Sequence, residues 1–267
     1  MEQEIDVQAK RDLMYGELDL SSLSLFSGSF INYGYWGEVA PGRDITLAER
    51  TASQAELYRQ TLARIPTPPG VQLLEIGCGI GVGTALVARE YAAYVTGLDR
   101  SKAQLARAAD ANAEALERLS GRLSFQEGSA TELPFPDDAF DGAYSVEALQ
   151  HVDDLAAVAR EARRVIRPGG HFAAATFFAP AGSGEGPLAD LLETVASGVD
   201  VVHSLGAFTA DLEQAGFADV AAESIGGHVW HQFDRWVAQT EYKDSWGRNL
   251  LRCYENGWLD YYVVTAS

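Results

Sequence analysis

Between residues 70 and 180 the chain alternates short apolar runs with helical stretches, and no other feature limits its fold as strongly. The order is VQLLEIG, a helix at about 82–92, AYVTGLD, a helix at about 101–119, LSFQEG, DGAYSVE, a helix at about 153–166, and HFAAATFF. Strands separated by helices pair in parallel through crossovers, so a mostly parallel sheet covered on both faces is predicted. A chain of 267 residues suits one such domain plus an appendage. It buries about 75% of its unfolded surface, so stability needs no disulfide.

The flanks divide the chain further. Residues 1–45 hold a helical stretch, then SSLSLFSGSF, then the aromatic cluster INYGYWG and a Pro41-Gly42 turn, and they read as an N-terminal helical and aromatic lid. Residues 46–180 form the core, opening with an amphipathic helix at 46–65 that the PTPPG of 66–70 stops. RVIRPGG reads as a helix end closed by Pro and Gly. Residues 181–267 supply cap helices, with PLADLLETVASGVDVVHSL, FTADLEQAGF and the long HVWHQFDRWVAQTEYKDSWGRNLLRCYENG all predicted helical. They also supply strands at about 218–225 and in GWLDYYVVTA, which close the same sheet.

Charge narrows the partners. There are 38 acidic and 20 basic residues, a net of −18. Nucleic-acid binding requires phosphate neutralisation by Lys and Arg, and the densest basic group, Arg160, Arg163, Arg164 and Arg167, has the spacing of a solvated helix face. Nucleic acid and anionic membrane surfaces are therefore not expected as partners. No apolar run reaches the ~18 residues of a membrane span, and MEQEIDVQAKRDLM lacks the basic-then-apolar order of a signal peptide. Cys78 and Cys253 are far apart, and the five histidines lack paired spacing with carboxylates, so no metal site is expected. The expectation is a reduced, cytoplasmic protein.

Glu75-Ile76-Gly77-Cys78-Gly79-Ile80-Gly81 leaves the first strand and enters a helix. Without Cβ atoms such a backbone turns tightly and lies against a ligand at the carboxyl edge of the sheet. A structural turn or a dinucleotide site would use similar glycines. Glu75, however, would repel a phosphate, the third-glycine spacing of the dinucleotide fingerprint is missing, and no GK[ST] follows. Asp99 ends the second strand, where an acid accepts the two hydroxyls of a ribose.

Together these motifs resemble the class I S-adenosylmethionine-dependent methyltransferases, in their small-molecule branch of natural-product and sugar O-methyltransferases. EIGCGIG is similar to the family's first motif, GLDRSKAQL to the second, GSATELPFPDDAFD to the third, and SVEALQHVDD and RVIRPGG to the segments around strands four and five. The resemblance implies a Rossmann-like α/β fold with a seven-stranded sheet. It implies S-adenosylmethionine as cofactor and S-adenosylhomocysteine as product. The cofactor residues it implies are Tyr33, Glu75, Gly77, Cys78, Gly79, Gly81, Asp99, Arg100, Gln104, Ser129, Ala130 and Val146. Ser129 departs from the family's usual Asp, leaving one hydroxyl to accept from the adenine amino group.

For the acceptor, INYGYWG resembles the aromatic segment that closes over the sulfonium, where Tyr and Trp faces favour a cation. It could equally staple the arm to the core. His151, just past strand four, matches a base of some sugar O-methyltransferases, or it is a helix-entry residue bonded to Asp153 or Asp154. The acid that branch carries at the end of strand five is replaced by Thr176. Tyr35, Trp36, Glu147, Thr176, His228 and His231 are expected to line the acceptor site, the last two with cap packing as the alternative. The expected reaction is methyl transfer to a small hydrophobic acceptor, with oxygen ahead of carbon or nitrogen. A cyclase of the same fold, holding the cofactor structurally, is the alternative.

Overall fold

The structure is a computed structural model that describes residues 7–17, 20, 23–26, 28–180, 182 and 186–267. The first six residues of the expected lid and parts of the loop at 179–187 lie outside the described residues. The N-terminal stretch forms α1 (Val7–Asp12), continued by one π-helical turn at Leu13–Glu17. The core begins at α2 (Leu47–Leu62), whose start is fixed by a capping box: the Thr46 hydroxyl accepts the Glu49 N–H, and the Glu49 carboxylate accepts the Thr46 N–H. Then follow β1 (Gln72–Ile76), α3 (Val82–Glu90), β2 (Tyr94–Asp99), α4 (Lys102–Ala111), α5 (Ala113–Leu119), β3 (Leu123–Glu127), β4 (Phe140–Val146), α6 (Leu155–Val165) and β5 (Ile166–Phe178).

The cap is more broken than its apolar pattern predicts. PLADLLETVASGVDVVHSL forms only two single turns, α7 (Leu188–Leu191) and α8 (Glu193–Ala196), before α9 (Leu205–Ala215). After the strand β6 (Ala221–Ser224), the long aromatic segment splits into α10 (Trp230–Ala238) and α11 (Asn249–Glu255), and β7 (Asp260–Ala266) closes the chain. The predicted helix at 101–119 also breaks, at Asn112, whose side-chain amide turns inward to donate to the carbonyls of Ile80 and Ala108.

The seven strands lie in the order β3-β2-β1-β4-β5-β7-β6. The first five are mutually parallel, and β7 runs antiparallel to both of its neighbours. Residues of one strand alternate between two buried faces. Leu73, Tyr144, Phe177 and Val263 face the cluster built with α2, α3 and α10, while Leu74, Ala143, Phe178 and Val264 face the cluster with α6 and α9. The chain order reverses between β1 and β4, so their carboxyl ends diverge and leave a crevice there.

The second cluster depends on Phe208, which is 1% exposed, stacks on Phe178 at 5.4 Å and meets Phe172 edge-on. Phe208→Ala is expected to cost roughly 3–5 kcal/mol in urea unfolding, by lost transfer energy and the cavity left behind.

Candidate functional site

The crevice opens into a cavity of about 640 Å³ lined by the arm, the strand ends and the cap helices. Its floor is the glycine loop. Gly77, Gly79 and Gly81 all have positive φ. A Cβ on Gly77 would stand 2.2 Å from that of Ala148, and one on Gly81 would strike the Phe125 ring, whereas at Gly79 nothing lies within 4 Å. Gly77 and Gly81 are thus required by packing, and Gly79 leaves the loop open toward the cavity. Asp99 braces this loop: its carboxylate accepts the N–H groups of Gly79 at 2.9 Å and Ser101 at 2.8 Å.

Tyr33, Gly77, Cys78, Gly79, Gly81, Asp99, Arg100, Gln104, Ser129, Ala130, Val146, Glu147 and His151 all line this one cavity. The Ser129 hydroxyl lies 2.8 Å from that of Thr131. Cys78 is buried, and burial raises its thiol well above the ordinary range, so it is a packing residue.

Six expected residues stand elsewhere, each for a physical reason. Glu75 is fully buried behind the loop, where it accepts hydroxyls from Tyr58 at 3.0 Å, Thr84 at 2.5 Å and Tyr144 at 3.0 Å, and has no place on the cavity wall. Tyr35 stacks on His228 at 4.5 Å, away from the cavity. Trp36 is 2% exposed and packs with Ile45 and Trp236. Thr176 is buried and donates to Gln150 Oε1 at 2.8 Å. His231 is exposed and meets the Tyr254 ring edge-on at 6.0 Å. Of its three aromatic rings the segment therefore presents only Tyr33 inward, beside Ile31, and uses Tyr35 and Trp36 to fasten itself down.

Glu147 connects arm, core and closing strand. It follows β4 with a φ of +51°, and its Oε1 accepts both the Tyr33 N–H and the Tyr261 hydroxyl at 2.8 Å. Burial pushes its carboxyl up to about 8, against the lowering effect of those donors and of Arg50.

His151 is the most connected polar group in the cavity. Its Nδ1 lies 3.0 Å from the Asp200 carboxylate and 3.3 Å from the Val199 carbonyl. Its Nε2 lies 2.7 Å from the Tyr15 hydroxyl and 3.3 Å from the Gln150 side-chain amide nitrogen. Burial raises the Tyr15 phenol well above its ordinary value, with Asp200 and other acids adding to the shift, so it is a neutral O–H. Both neighbours of Nε2 are donors and the neighbour of Nδ1 is a carboxylate, so the neutral ring carries its hydrogen on Nδ1. His151 is thus partnered by Asp200, and the nearby acids Asp153 and Asp154 are occupied by Arg11 and by the α6 N-terminus. No sequence signal marked Tyr15 or Asp200, because both reach the ring from segments remote in the chain.

Residues 74–174 match the family model described as "Methyltransferase domain". The chain is 34% identical over 203 residues to the 27-O-demethylrifamycin SV methyltransferase of Amycolatopsis mediterranei, covering 76% of this chain and 71% of that protein. The chain belongs to the class I S-adenosylmethionine-dependent methyltransferases. An O-methyltransferase of Penicillium expansum is 32% identical over 78% of this chain and 72% of its own length. Among solved structures, a geranyl diphosphate C-methyltransferase from Streptomyces coelicolor shares the fold at a TM-score of 0.80 and 16% identity, over 96% and 97% of the two chains. The [4+2]-cyclase SpnF superposes at 0.68 with 26% identity, over 88% and 86%.

The open loop at Gly79 and the braced acid Asp99 fit the methyltransferase cofactor, S-adenosylmethionine: the loop would give it a close backbone surface and the free lone pairs of the acid would receive its ribose hydroxyls. Asp99→Ala is expected to weaken S-adenosylhomocysteine binding at least about tenfold by calorimetry, since charged hydrogen bonds are worth ~1.5–3 kcal/mol each.

Glu147 and Glu75, the latter pushed up to about 7 by burial, hold protons in the folded state that an unfolded chain releases above the ordinary value of 4.5. Their share of stability is complete below that value and is lost as pH rises, up to about 8 for Glu147. Glu147→Gln is expected to flatten this decline, so its denaturation midpoint relative to the parent protein should rise across that window.

Proposed function

We propose that the protein methylates a hydroxyl oxygen on a neutral, hydrophobic natural product of secondary metabolism, with His151 as general base. The observation that carries this reading is the O–H already seated on His151 Nε2 inside the cavity. A ring that accepts one hydroxyl at 2.7 Å, with a carboxylate behind it to stabilise the imidazolium, is equipped to take the proton of an acceptor hydroxyl. Bound S-adenosylmethionine supplies an electrophilic methyl group. The protein's part is to orient the acceptor oxygen, exclude water and hold the released proton on Nε2.

The acceptor's chemistry is supported by the remaining walls. Leu25, Phe26, Phe233, Val237, Trp246 and Leu250 contribute apolar surface on the arm and cap side. Two cations line the cavity among the described residues, and both are engaged. Arg11 pairs with Asp153, while Arg100 contacts Gln8 and Asp12. The Amycolatopsis and Penicillium relatives are both named for transfer to oxygen. In this reading residues 1–45 act as a lid, 46–180 hold the cofactor and 181–267 shape the acceptor pocket.

The test is incubation with S-adenosylmethionine and a panel of hydroxylated polyketides, 27-O-demethylrifamycin SV among them, read as a one-methyl mass gain. On an acceptor methylated at oxygen, His151→Ala should lower turnover by ~100- to 10,000-fold while S-adenosylhomocysteine still binds. Parent-level turnover in that variant would remove His151 from the mechanism. The likeness to SpnF motivates one control: if S-adenosylhomocysteine supports full conversion of an acceptor, the chemistry is a cyclisation and the cofactor is structural.

A further inference from the structure

The base stands where three parts of the chain meet. His151 belongs to the core, Tyr15 to the arm, and Asp200 to the irregular segment between α8 and α9. That segment is held at its start by the Gly198 N–H on the Val195 carbonyl at 3.0 Å and at its end by His203, whose Nε2 lies 2.8 Å from the Val152 carbonyl; between them the Asp200 N–H donates to the Thr194 carbonyl at 3.0 Å, and the Val201 N–H to the Gln150 carbonyl at 2.8 Å.

The arm binds the carbonyls just before Asp200. Arg11, one helical turn before Tyr15, is 6% exposed. Its Nη1 and Nη2 donate to the two carboxylate oxygens of Asp153 at 3.1 and 2.9 Å. The same guanidinium donates from Nε to the Val199 carbonyl at 3.1 Å and from Nη2 to the Gly198 carbonyl at 3.0 Å. Lys10 reaches the Ser197 carbonyl at 3.2 Å. The arm thus grips the three carbonyls before Asp200. One of them, that of Val199, is the second acceptor within reach of His151 Nδ1. Arg11 is anchored to the core through Asp153, two residues after His151, so a single planar fork ties the cap backbone to the loop after β4 that carries the base.

We infer that Arg11 is a positioning residue for the base. By strapping Gly198 and Val199 to Asp153 it sets the Asp200 carboxylate against Nδ1 and so fixes the tautomer that leaves the Nε2 lone pair in the cavity. A neutral imidazole has one N–H, and the partner of one nitrogen decides the state of the other. Both acceptors at Nδ1 lie on the strapped segment. When the strap goes, they lose their register, and the ring hydrogen is free to move to Nε2, where it can donate but cannot accept. The tautomer is therefore set by the docked arm, and an acceptor hydroxyl would give up its proton where the Tyr15 hydroxyl now sits on Nε2.

This inference rests on reading His151 as the base, but the tautomer is observable without any acceptor. The experiment is long-range 1H–15N correlation of histidine-labelled full-length protein at about pH 8, with the His151 signals identified by their loss in His151→Ala. The parent protein should show His151 protonated on Nδ1. Asp200→Asn and Arg11→Gln should each raise the Nε2–H population about fivefold or more. Asp153→Asn, at a side chain 73% exposed, loosens the same strap without disturbing the interior and should shift the ring in the same direction. A parent ring protonated on Nε2 overturns the inference. So does a ring that stays protonated on Nδ1 in whichever of the two strap variants folds. Neither result depends on finding an acceptor, so the turnover test of His151 succeeds or fails separately.

Discussion

A guanidinium with no exposed surface, that of Arg50 on α2, holds the arm to the core. It donates to the carbonyls of Leu25, Asn32 and Tyr33 at 2.6–3.0 Å and lies over the rings of Trp36 and Phe233 at 5.4 and 5.5 Å. Among the described residues no carboxylate pairs with it. Taking such a cation out of water costs several kcal/mol, and burial lowers its pKa to about 9. The cost is offset by carbonyl dipoles and ring faces that exist in this arrangement only when residues 25–36 are docked. The arm's aromatic segment is thereby coupled to the charge state of one side chain. Its position decides where the Tyr33 N–H meets Glu147 and where the Tyr33 ring enters the cavity.

The site follows from that docking and from the divergence of β1 and β4. The core can build the cofactor cradle alone, since the glycine loop, Asp99 and the Ser129 turn all lie at the ends of neighbouring parallel strands. It cannot build the acceptor side alone. Glu147 is held by the arm and by β7, and His151 is completed by Tyr15 and Asp200. Thr176 takes the strand-five position where an acid was expected, and it acts at one remove. Its hydroxyl donates to Gln150 Oε1, which turns the Gln150 amide nitrogen toward Nε2. The acid that does reach His151 comes from the cap and not from the sheet.

What could be read from the sequence divides along the same line. The strands, the glycine loop and Asp99 were legible because short apolar runs, tight turns and a strand-terminal acid are local signals. Residues were misplaced where a local type was taken for a contact. Glu75 was assigned to the ligand because it adjoins the glycines, yet alternation along β1 turns it away, into the hydroxyls of Tyr58, Thr84 and Tyr144. Tyr35 and Trp36 were grouped with Tyr33, yet Gly34 between them has a φ of +88°, which breaks the extended alternation, and of the three rings only that of Tyr33 reaches the cavity. The partners of His151 lie 136 residues away at Tyr15 and, at Asp200, in a stretch whose apolar pattern reads as helix. No local rule finds such pairs, since they depend on how arm and cap fold over the sheet.

That division has a mechanistic consequence. Cofactor recognition asks the same geometry of every member of the fold, so it is well served by one contiguous stretch with short-range constraints. Acceptor recognition and proton removal must change with the acceptor, and on the reading proposed above they draw on Tyr15 and Asp200, which lie outside residues 74–174, the part that matches the methyltransferase domain model, as well as on His151 within it. A base whose acid and hydroxyl partners come from two appendages can be re-aimed by changes in either one without disturbing the glycine loop or Asp99. The same arrangement would tie the readiness of the proposed base to the docked arm, because Arg11 and Tyr15 arrive on one short helical segment, the first at the cap backbone and the second at the ring. The physical link between lid and chemistry is therefore a pair of side chains four residues apart, which places them on one face of the turn that covers the site.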